Sequence, residues 1–597
     1  MTFKMLEPLA QCMSRTLYMM ITKLLNRSLS VVVAIILPAC SSAAQKHEQP
    51  AGHVDKLTPE VVSAIKKSAS SLSPDIIYNI LVGEIALQRR NLGLAYAHQL
   101  KGADLAQDAV AAERATKIAL HQKDQARALV AVKRWIEYAP ENEQARRVAV
   151  MLNIKSGDSD SALQHLRSLV QLREKQNKDG FVRAVAAVTS GQDKQLALRL
   201  MLSLAADYKG NPKASYAVAL SAVMAGDLEV AESEVRQAIR LKPEMDRAHV
   251  LLGRVFMERK DGDGAMQAMQ QALETSPDST VLRSAYARLL VDLDKPKLAF
   301  NQFEKLRSLM PNDADVLFSL GILAMQLDQR TQAAEFFTAL IKNKKRVVDA
   351  SFYMGRIEEM EGRLDTAISW YAKVKGGNYL FDARARTAGL VAAKGDVPGA
   401  RSMLTQMRAR MPKRSVDLFI LEGEILRKHS TNDKVVELYS AALKDHPDDL
   451  GLLYARALSA SVEGRVDILE QDIMLILKQK PDHADALNAL GYTLADQTDR
   501  HQEALDYIKK ALAIKPDSPA ILDSMGWVLY RLGNNAEALR YLRRAFEKLQ
   551  DVEIATHLME LLWVTGQKQE AREVLQGALK QHPENKYLQQ AIKRLGI

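Results

Sequence analysis

Prolines recur along this 597-residue chain in matching contexts. Intervals of 34 residues separate Pro243 from Pro277 and Pro277 from Pro311. A period of this length is typical of stacked helical hairpins, because one hairpin is too small to bury its apolar face alone. The chain is therefore predicted to be all-α, with its core spread along a row of repeats. The series consists of Pro243, Pro277, Pro311, Pro447, Pro481, Pro516 and Pro583.

Small side chains keep the same register as the prolines. Lys345 replaces the proline of one unit, yet Gly355 and Ala367 hold the expected spacing. Small residues at fixed points of a helical period predict two helices that cross closely. The first set lies ten residues after a proline and contains Gly253, Ala287, Gly321, Ala457, Gly491 and Gly526. The second set follows further along the same units and contains Ala265, Ala299, Ala333, Ala504 and Ala538.

These residues resemble the tetratricopeptide-repeat (TPR) pattern, in which a proline ends the second helix of each pair. The resemblance implies a solenoid, a right-handed superhelix of helix-turn-helix units whose groove is lined by the first helices. The period predicts roughly 14 to 15 units between Ile76 and Ile597. We expect degenerate TPR-like repeats over 60–240, middle repeats over 241–415 and carboxyl-terminal repeats over 416–597.

The amino terminus has the layout of an export signal. Lys23 and Arg27 precede the apolar run 29–37, which is too short for a membrane-spanning helix of about 20 residues. The sequence Leu-Pro-Ala-Cys at 37–40 resembles the bacterial lipobox. Residues 1–40 are therefore predicted to be a lipoprotein signal peptide, with Cys40 as the site of lipid (palmitate) attachment.

The residues after Cys40 bear on where such a lipoprotein would go. Ser41 and Ser42 follow the cysteine, and absence of Asp there implies delivery to the outer membrane in Gram-negative lipoproteins. The segment 41–59 is predicted to be a flexible tether. An ordinary signal peptide cleaved near Ala44, with an incidental cysteine, is the alternative.

Certain positions on the first helix face the groove in the TPR family, and the proline register places them here. Tyr and Trp at such positions are good binding residues because they offer large area at little entropic cost. Trp527 and Tyr492 are the best candidates. The alternative is that the rings pack between helices and the arginines are solvated charges. The predicted partner-binding residues are Tyr454, Tyr492, Trp527, Tyr530, Arg254, Arg288 and Arg356. The other mapped positions are Arg247, Phe318, Ile322, Met325, Phe352, Glu359, Leu458, Asn488 and Asp523.

The chain lacks the sequence signatures of catalytic sites. HExxH, GxSxG and phosphate-loop motifs are absent, and the 12 histidines have no ligand spacing. Both cysteines, Cys12 and Cys40, precede the repeats. The segment 260–264 superficially resembles a calcium loop but lacks the terminal Glu ligand. We predict no enzymatic activity, cofactor or metal, and no nucleic-acid partner, because no concentrated basic face with stacking aromatics is evident.

The whole layout is similar to a group of Gram-negative TPR lipoproteins. The resemblance rests on the lipobox, on 78–89 at the start of the solenoid, and on 488–496 and 525–530 near its end. The best-understood type is an outer-membrane adaptor that binds a periplasmic carboxyl-terminal processing protease and brings it murein hydrolases. The resemblance implies this scaffold role on the periplasmic face of the outer membrane.

Two other functions compete with the adaptor role. The first is a structural TPR lipoprotein subunit of an envelope polysaccharide secretion apparatus. The second is a cell-wall enzyme with a TPR arm, which is disfavoured because no non-repeat segment is long enough for a catalytic domain.

Overall fold

In the computed structural model of the chain, residues 73–176, 178–189 and 193–596 are described, and they contain helices but no strand. The predicted all-α fold of helix-turn-helix repeats is confirmed. The predicted signal peptide, Cys40 and the predicted tether lie outside the described residues. None of the helices in the described ranges combines the length and the apolar character needed to cross a bilayer.

The chain divides into two compact units, and the division falls inside the helix Arg330–Lys342. We call residues 73–336 the N-terminal unit and residues 337–596 the C-terminal unit. The helices up to that division are α1 (Pro74–Gln88), α2 (Leu92–Ala106), α3 (Ala109–His121), α4 (Gln125–Tyr138), α5 (Glu143–Ser156), α6 (Ser159–Lys175), α7 (Gly180–Val188), α8 (Lys194–Ala206), α9 (Pro212–Ala225), α10 (Leu228–Leu241), α11 (Asp246–Glu258), α12 (Gly262–Thr275), α13 (Thr280–Asp292), α14 (Pro296–Leu309), α15 (Ala314–Gln326) and α16 (Arg330–Lys342).

The remaining helices belong to the C-terminal unit. They are α17 (Val347–Met360), α18 (Leu364–Tyr371), α19 (Leu380–Ala393), α20 (Val397–Arg410), α21 (Ser415–His429), α22 (Asn432–Asp445), α23 (Leu450–Val462), α24 (Val466–Gln479), α25 (Ala484–Gln497), α26 (His501–Ile514), α27 (Pro519–Arg531), α28 (Asn535–Lys548), α29 (Val552–Val564), α30 (Lys568–Gln581) and α31 (Lys586–Leu595). A 3₁₀ turn, Pro412–Arg414, separates α20 from α21.

Successive helices are the first and second members of hairpins. Over the described ranges there are fifteen such pairs, and α31 stands alone after the last of them. We call the odd-numbered helices A helices and the even-numbered ones B helices. The number of pairs agrees with the 14 to 15 units, roughly, that the period predicts.

The prediction that a proline ends the second helix of each pair is confirmed, since α12 ends two residues before Pro277 and α24 ends two residues before Pro481. An A helix begins three residues after each proline of the series, as α13 does after Pro277 and α25 does after Pro481. The residue just before the A helix often caps it: Ser279 accepts from Leu282 N at 3.1 Å, and Asp449 accepts from Leu452 N at 2.9 Å. Such caps satisfy amide groups that have no partner inside the helix.

The small residues lie where the A and B helices of a pair touch. A Cβ added at Gly491 would lie 2.6 Å from Ile508 Cγ1 and 2.9 Å from the backbone oxygen of Ala504. A Cβ at Gly526 would lie 2.6 Å from Leu542 Cγ. Such distances leave no room for any side chain, so the predicted close crossing is confirmed.

The A helices also form a row within each unit. In the N-terminal unit, α5, α7, α9, α11 and α13 pack side by side in that order. In the C-terminal unit, α21, α23, α25, α27, α29 and α31 do the same. Side chains from different repeats therefore meet along each row, and the two rows hold the candidate binding residues.

Candidate functional site

Five arginines project from the A-helix row of the N-terminal unit, and we call them the arginine face. They are carried by consecutive A helices from α5 to α13, except that α9 contributes the part-buried ring of Tyr216 instead. The ring of Tyr216 lies under the guanidinium of Arg247, whose central carbon is 4.6 Å from the ring centroid. The arginine face consists of Arg147, Arg183, Arg247, Arg254 and Arg288.

The predicted residues Arg254 and Arg288 are exposed, as expected for a binding surface. The Arg254 side chain is 48% exposed, and its Nε lies 3.7 Å from Glu258 Oε1, one turn along the same helix. Arg288 lowers the pKa of Asp292, whereas burial raises that pKa by more. Each arginine therefore lies one turn before a carboxylate of its own helix, and both residues are exposed to solvent.

Arg247 is held more firmly than its two neighbours. Its Nη2 lies 2.6 Å from Asp179 Oδ2. Asp179 also caps α7, accepting from the amides of Phe181 and Val182 at 3.1 Å each. A cleft of about 800 Å³ opens at the starts of α9 and α11, and Lys213, Arg247 and Val281 are among its lining residues.

In the C-terminal unit, side chains of neighbouring A helices pack against one another and are buried. His557 on α29 is fully buried and bonds on both sides: Nδ1 lies 2.9 Å from Asp523 Oδ2 and Nε2 lies 2.8 Å from Tyr587 Oη. The indole of Trp527 stacks on the imidazole with centroids 4.2 Å apart, and the Tyr492 hydroxyl lies 3.4 Å from Nε2. We call Tyr492, Asp523, Trp527, His557 and Tyr587 the His557 cluster.

The prediction that Trp527 and Tyr492 face solvent is wrong. Trp527 is only 4% exposed and Tyr492 only 3%. The Trp527 indole also donates from Nε1 to Asp496 Oδ1 at 3.2 Å, so its polar edge is satisfied inside the protein. The A helices stand close enough for a ring on one to reach the next, and the alternative of packing between helices is the one observed.

The charge of the His557 cluster follows from its surroundings. Burial lowers the pKa of His557, but Asp523, Glu553 and Asp496 together raise it by more, so the pKa lies above the ordinary value of 6.5. Burial raises the pKa of Glu553, and His557 lowers it in part. An imidazolium that donates to the Asp523 carboxylate and to the Tyr587 hydroxyl fits this geometry.

The other predicted aromatic residues are part-buried. Tyr454 lies beside the ring of His483, with centroids 6.0 Å apart, and burial raises the pKa of its hydroxyl. Tyr530 lies against Trp527 at 5.4 Å between centroids. Trp527 contacts both Tyr530 and His557, and His557 in turn contacts Tyr492, so these three predicted residues lie close together. Tyr454 lies apart from them on another A helix, α23.

Arg356 lies in a second polar group of the C-terminal unit. Burial and the nearby Arg386 lower the pKa of Arg356, and Tyr371 and Glu359 oppose that shift. Glu359 accepts from Tyr371 Oη at 2.6 Å and from Arg386 Nη1 at 3.0 Å. The ring of Phe352 is buried and stacks on Tyr379, with centroids 4.5 Å apart. Arg356 is therefore a part-buried member of an internal network.

The remaining mapped positions carry either part-buried or buried side chains. Ile322, Met325 and Leu458 are part-buried, as is Phe318. Asn488 and Asp523 are buried, at 2% and 5% exposure. The register thus finds the A-helix row reliably, whereas the exposure of each side chain varies from unit to unit.

Sequence reasoning missed Arg147, Arg183 and Tyr216 on the row of the N-terminal unit. For Arg147 a signal was present, because α5 begins three residues after Pro140, as in the later repeats. Arg183 and Tyr216 had no such marker, since no proline lies three residues before α7 or α9. His557 lies 34 residues after the mapped Asp523 and so falls on the same register, but it was missed because no proline lies three residues before α29 to mark that repeat.

Comparison with known proteins identifies the repeats. A profile described as the cytochrome c-type biogenesis protein H TPR domain matches residues 234–346. The tetratricopeptide repeat profile matches 318–379, 475–519 and 524–586. Neither profile describes a catalytic family, and no group of three or more potential metal ligands occurs in the described ranges.

Two curated relatives and one solved structure illustrate the similarity. TPR repeat-containing protein PA4667 of Pseudomonas aeruginosa is 31% identical over 90% of this chain and 90% of its own length. Cellulose synthase operon protein C of Pseudomonas fluorescens is 26% identical over 49% of this chain and 27% of its own length. A thermophilic TPR protein of Thermus thermophilus is 24% identical over 30% of this chain and 98% of its own, with a TM-score of 0.28.

Proposed function

Given that the chain belongs to the tetratricopeptide-repeat family of proteins, we propose that it is a lipid-anchored scaffold on the periplasmic face of the bacterial outer membrane. TPR proteins bind other proteins, and the arginine face, with Arg254 and Arg288 exposed, offers a charged surface for doing so. That surface is the observation on which the proposal rests. The proposal includes no catalytic activity for the chain itself.

The membrane attachment in this proposal depends on the amino-terminal sequence. Cys40 follows a short apolar run and a lipobox-like tetrapeptide. Several acyl chains give stable attachment where a single chain is marginal. Labelled palmitate should be incorporated by the wild-type chain in bacterial cells and not by Cys40→Ser. Continued labelling of the Cys40→Ser variant would defeat the lipid anchor.

The specific role that we propose is an adaptor for proteolysis. In this role the scaffold holds a carboxyl-terminal processing protease and brings murein hydrolases to it as substrates. The support is the resemblance of the lipobox and of the segments 78–89, 488–496 and 525–530 to adaptor lipoproteins of that type. The similarity to protein PA4667 along 90% of both chains supports one shared repeat architecture.

A second candidate function is a structural subunit of a polysaccharide secretion apparatus. It is favoured by the 26% identity to cellulose synthase operon protein C, although this covers about half of the present chain. The adaptor proposal is preferred because the lipobox and the segments 78–89, 488–496 and 525–530, which resemble adaptor lipoproteins, are spread over nearly the whole chain.

Affinity capture from detergent-solubilised membranes separates the two candidates. The wild-type chain is compared with Arg254→Ala/Arg288→Ala, which changes exposed side chains, and with Arg127→Ala/Arg307→Ala as a control on B helices. A protease and murein hydrolases recovered with wild type and control but depleted with the first variant would support the adaptor. Recovery of a synthase or an export barrel would favour the second function.

A further inference from the structure

Three arginines converge on a single carboxylate in the N-terminal unit. Glu143 on α5 accepts from Arg173 Nη1, with oxygens at 3.1 and 3.2 Å, and Arg183 Nε lies 3.8 Å from the same carboxylate. Arg147, one turn after Glu143, interacts electrostatically with both Glu143 and Arg183. We call these four residues the Glu143 cluster.

The Glu143 cluster carries an excess of positive charge. One carboxylate faces three guanidinium groups, whereas Arg247 and Asp179 form a one-to-one pair. Burial lowers the pKa of Arg147, the neighbouring Arg183 lowers it further, and Glu143 only partly offsets them. Like charges held together at a part-buried position are costly unless an anion compensates them.

The hydrogen-bonding capacity of the cluster is also incompletely used. The Nε atoms of Arg147, Arg173 and Arg183 are buried and have no acceptor among the described residues. Buried polar groups in proteins are nearly always hydrogen-bonded. Yet the Arg173 and Arg183 side chains remain 23% and 25% exposed, so both are partly open to solvent.

We propose that the Glu143 cluster is a docking site for an acidic segment of a partner protein, whose Asp and Glu carboxylates pair with Arg147, Arg173 and Arg183. A guanidinium presents its donors as a planar fork that matches a carboxylate in bidentate geometry. Arg147 and Arg183 lie on neighbouring A helices, α5 and α7, so successive carboxylates of an extended peptide can engage both. The inference rests on the proposed scaffold function and specifies the chemistry of one partner.

A protein segment fits this site better than a nucleic acid. Binding of single strands usually combines a basic groove with exposed aromatic rings on which bases stack. The Glu143 cluster contains no aromatic residue, and Phe181, which neighbours Arg183 closely in sequence, is fully buried. The cluster therefore provides charge and directed donors without a stacking surface.

The test measures binding of a fluorescein-labelled Glu-rich peptide to the purified chain by anisotropy. A Gln-rich peptide and a Lys-rich peptide of equal length serve as probes of charge. Arg147→Gln/Arg183→Gln should weaken binding by roughly tenfold or more, because the variant loses charge-assisted hydrogen bonds to the peptide carboxylates. Arg127→Gln/Arg307→Gln, which also removes two guanidinium groups, should leave the affinity within about twofold, since exposed ion pairs contribute little.

A variant that is expected to bind the peptide more tightly distinguishes a change in the docking site from a loss of folding. Glu143→Gln removes the internal competitor for Arg173 and Arg183, so binding of the Glu-rich peptide should become tighter. Unfolding of the variant cannot produce that result. Weaker or unchanged binding by Glu143→Gln, or equal binding of the Glu-rich and Gln-rich peptides by wild type, would overturn the proposal. So would a single-stranded oligonucleotide that outcompetes the Glu-rich peptide.

The peptide-binding and capture experiments test different claims, so their outcomes distinguish an error in the docking site from an error in the adaptor role. If capture recovers the protease and hydrolases while the Glu-rich peptide does not bind, the docking site is wrong and the scaffold function stands. If the peptide binds as expected but capture recovers no partner, the site stands and the adaptor role is wrong.

Discussion

Equivalent positions on the A helices carry Arg254 and Arg288 in the N-terminal unit but Tyr492 and Trp527 in the C-terminal unit. The Arg254 side chain is about half exposed, whereas Trp527 is buried at 4% exposure. One row is therefore a charged surface, and the other is an extension of the core. A repeat register fixes the helix face from which a side chain projects, and the neighbouring repeat decides whether that side chain meets solvent.

The chemistry of the neighbours explains the contrast. Trp527 finds a stacking partner in His557 and an acceptor in Asp496, so both its apolar ring and its polar edge are satisfied internally. Arg288 lies one turn before Asp292 on its own helix and is exposed. An arginine without a buried counter-charge stays at the surface because burying an unpaired charge is very costly.

The strongest way to test the comparison is Trp527→Ala. We expect a loss of about 3–5 kcal/mol in the free energy of unfolding, because a large buried ring leaves a cavity. Urea unfolding measures the loss, and hydrogen exchange should place the opening in α25 to α31. Trp563→Ala, which truncates a part-buried Trp in the same region, should cost clearly less. Equal losses for the two variants would show that the Trp527 ring is not part of the core.

Close helix contact within a pair predicts a smaller effect for Gly526→Ala. The added Cβ would meet Leu542 at 2.6 Å, so overpacking should cost about 1–3 kcal/mol. Gly577 is the matched control, because a Cβ there meets nothing within 4 Å. Gly577→Ala should stabilise the chain by up to about 1 kcal/mol through helix propensity. Thermal unfolding of both variants measures the difference, and a neutral Gly526→Ala would contradict the predicted crowding.

The His557 cluster predicts a pH dependence confined to the C-terminal unit. The folded-state pKa of His557 is raised above about 6.5, so its stabilising contribution is fully present below that pH and is lost as the pH rises through the folded pKa. The raised pKa of Glu553 acts in the same direction. Urea unfolding across this range should show decreasing stability for wild type.

His557→Gln provides the control for that pH series. The variant should be less stable than wild type at mildly acidic pH, and its stability should change less as the pH rises. The groups that face His557 are Asp523, Glu553, Asp496, Tyr587 and Tyr492, and all remain in the variant. Parallel pH curves for the two proteins would rule out His557 as the titrating group.

The smallest effect on stability is expected for Arg254→Ala/Arg288→Ala. Exposed side chains away from special structural features usually change the free energy of unfolding by less than about 0.5 kcal/mol each. The unfolding midpoint should therefore stay close to that of wild type. A large drop in the midpoint would mean that the arginine face contributes to the core, and the contrast with the His557 cluster would fail.

Much of the architecture was readable from particular residues. Pro277 and Pro481 predicted where the second helix of a pair ends, and Gly491 and Gly526 predicted where paired helices touch. Both follow from local physics, since proline restricts the backbone that precedes it and a glycine permits close approach. The candidate site was only partly readable. Arg254 and Arg288 were placed correctly at the surface, whereas Trp527 and Tyr492 were expected there and are buried.

The sequence by itself determined the repeat, the pairing of helices and the face of each A helix that carries the candidate residues, because these depend on spacing along one or two turns. Only the tertiary structure decided which of those residues are surface and which are core. That outcome depends on side chains roughly one repeat away in sequence, such as His557 beneath Trp527 and Arg183 beside Arg147. No local pattern records such neighbours, because burial and charge pairing are set by what packs opposite.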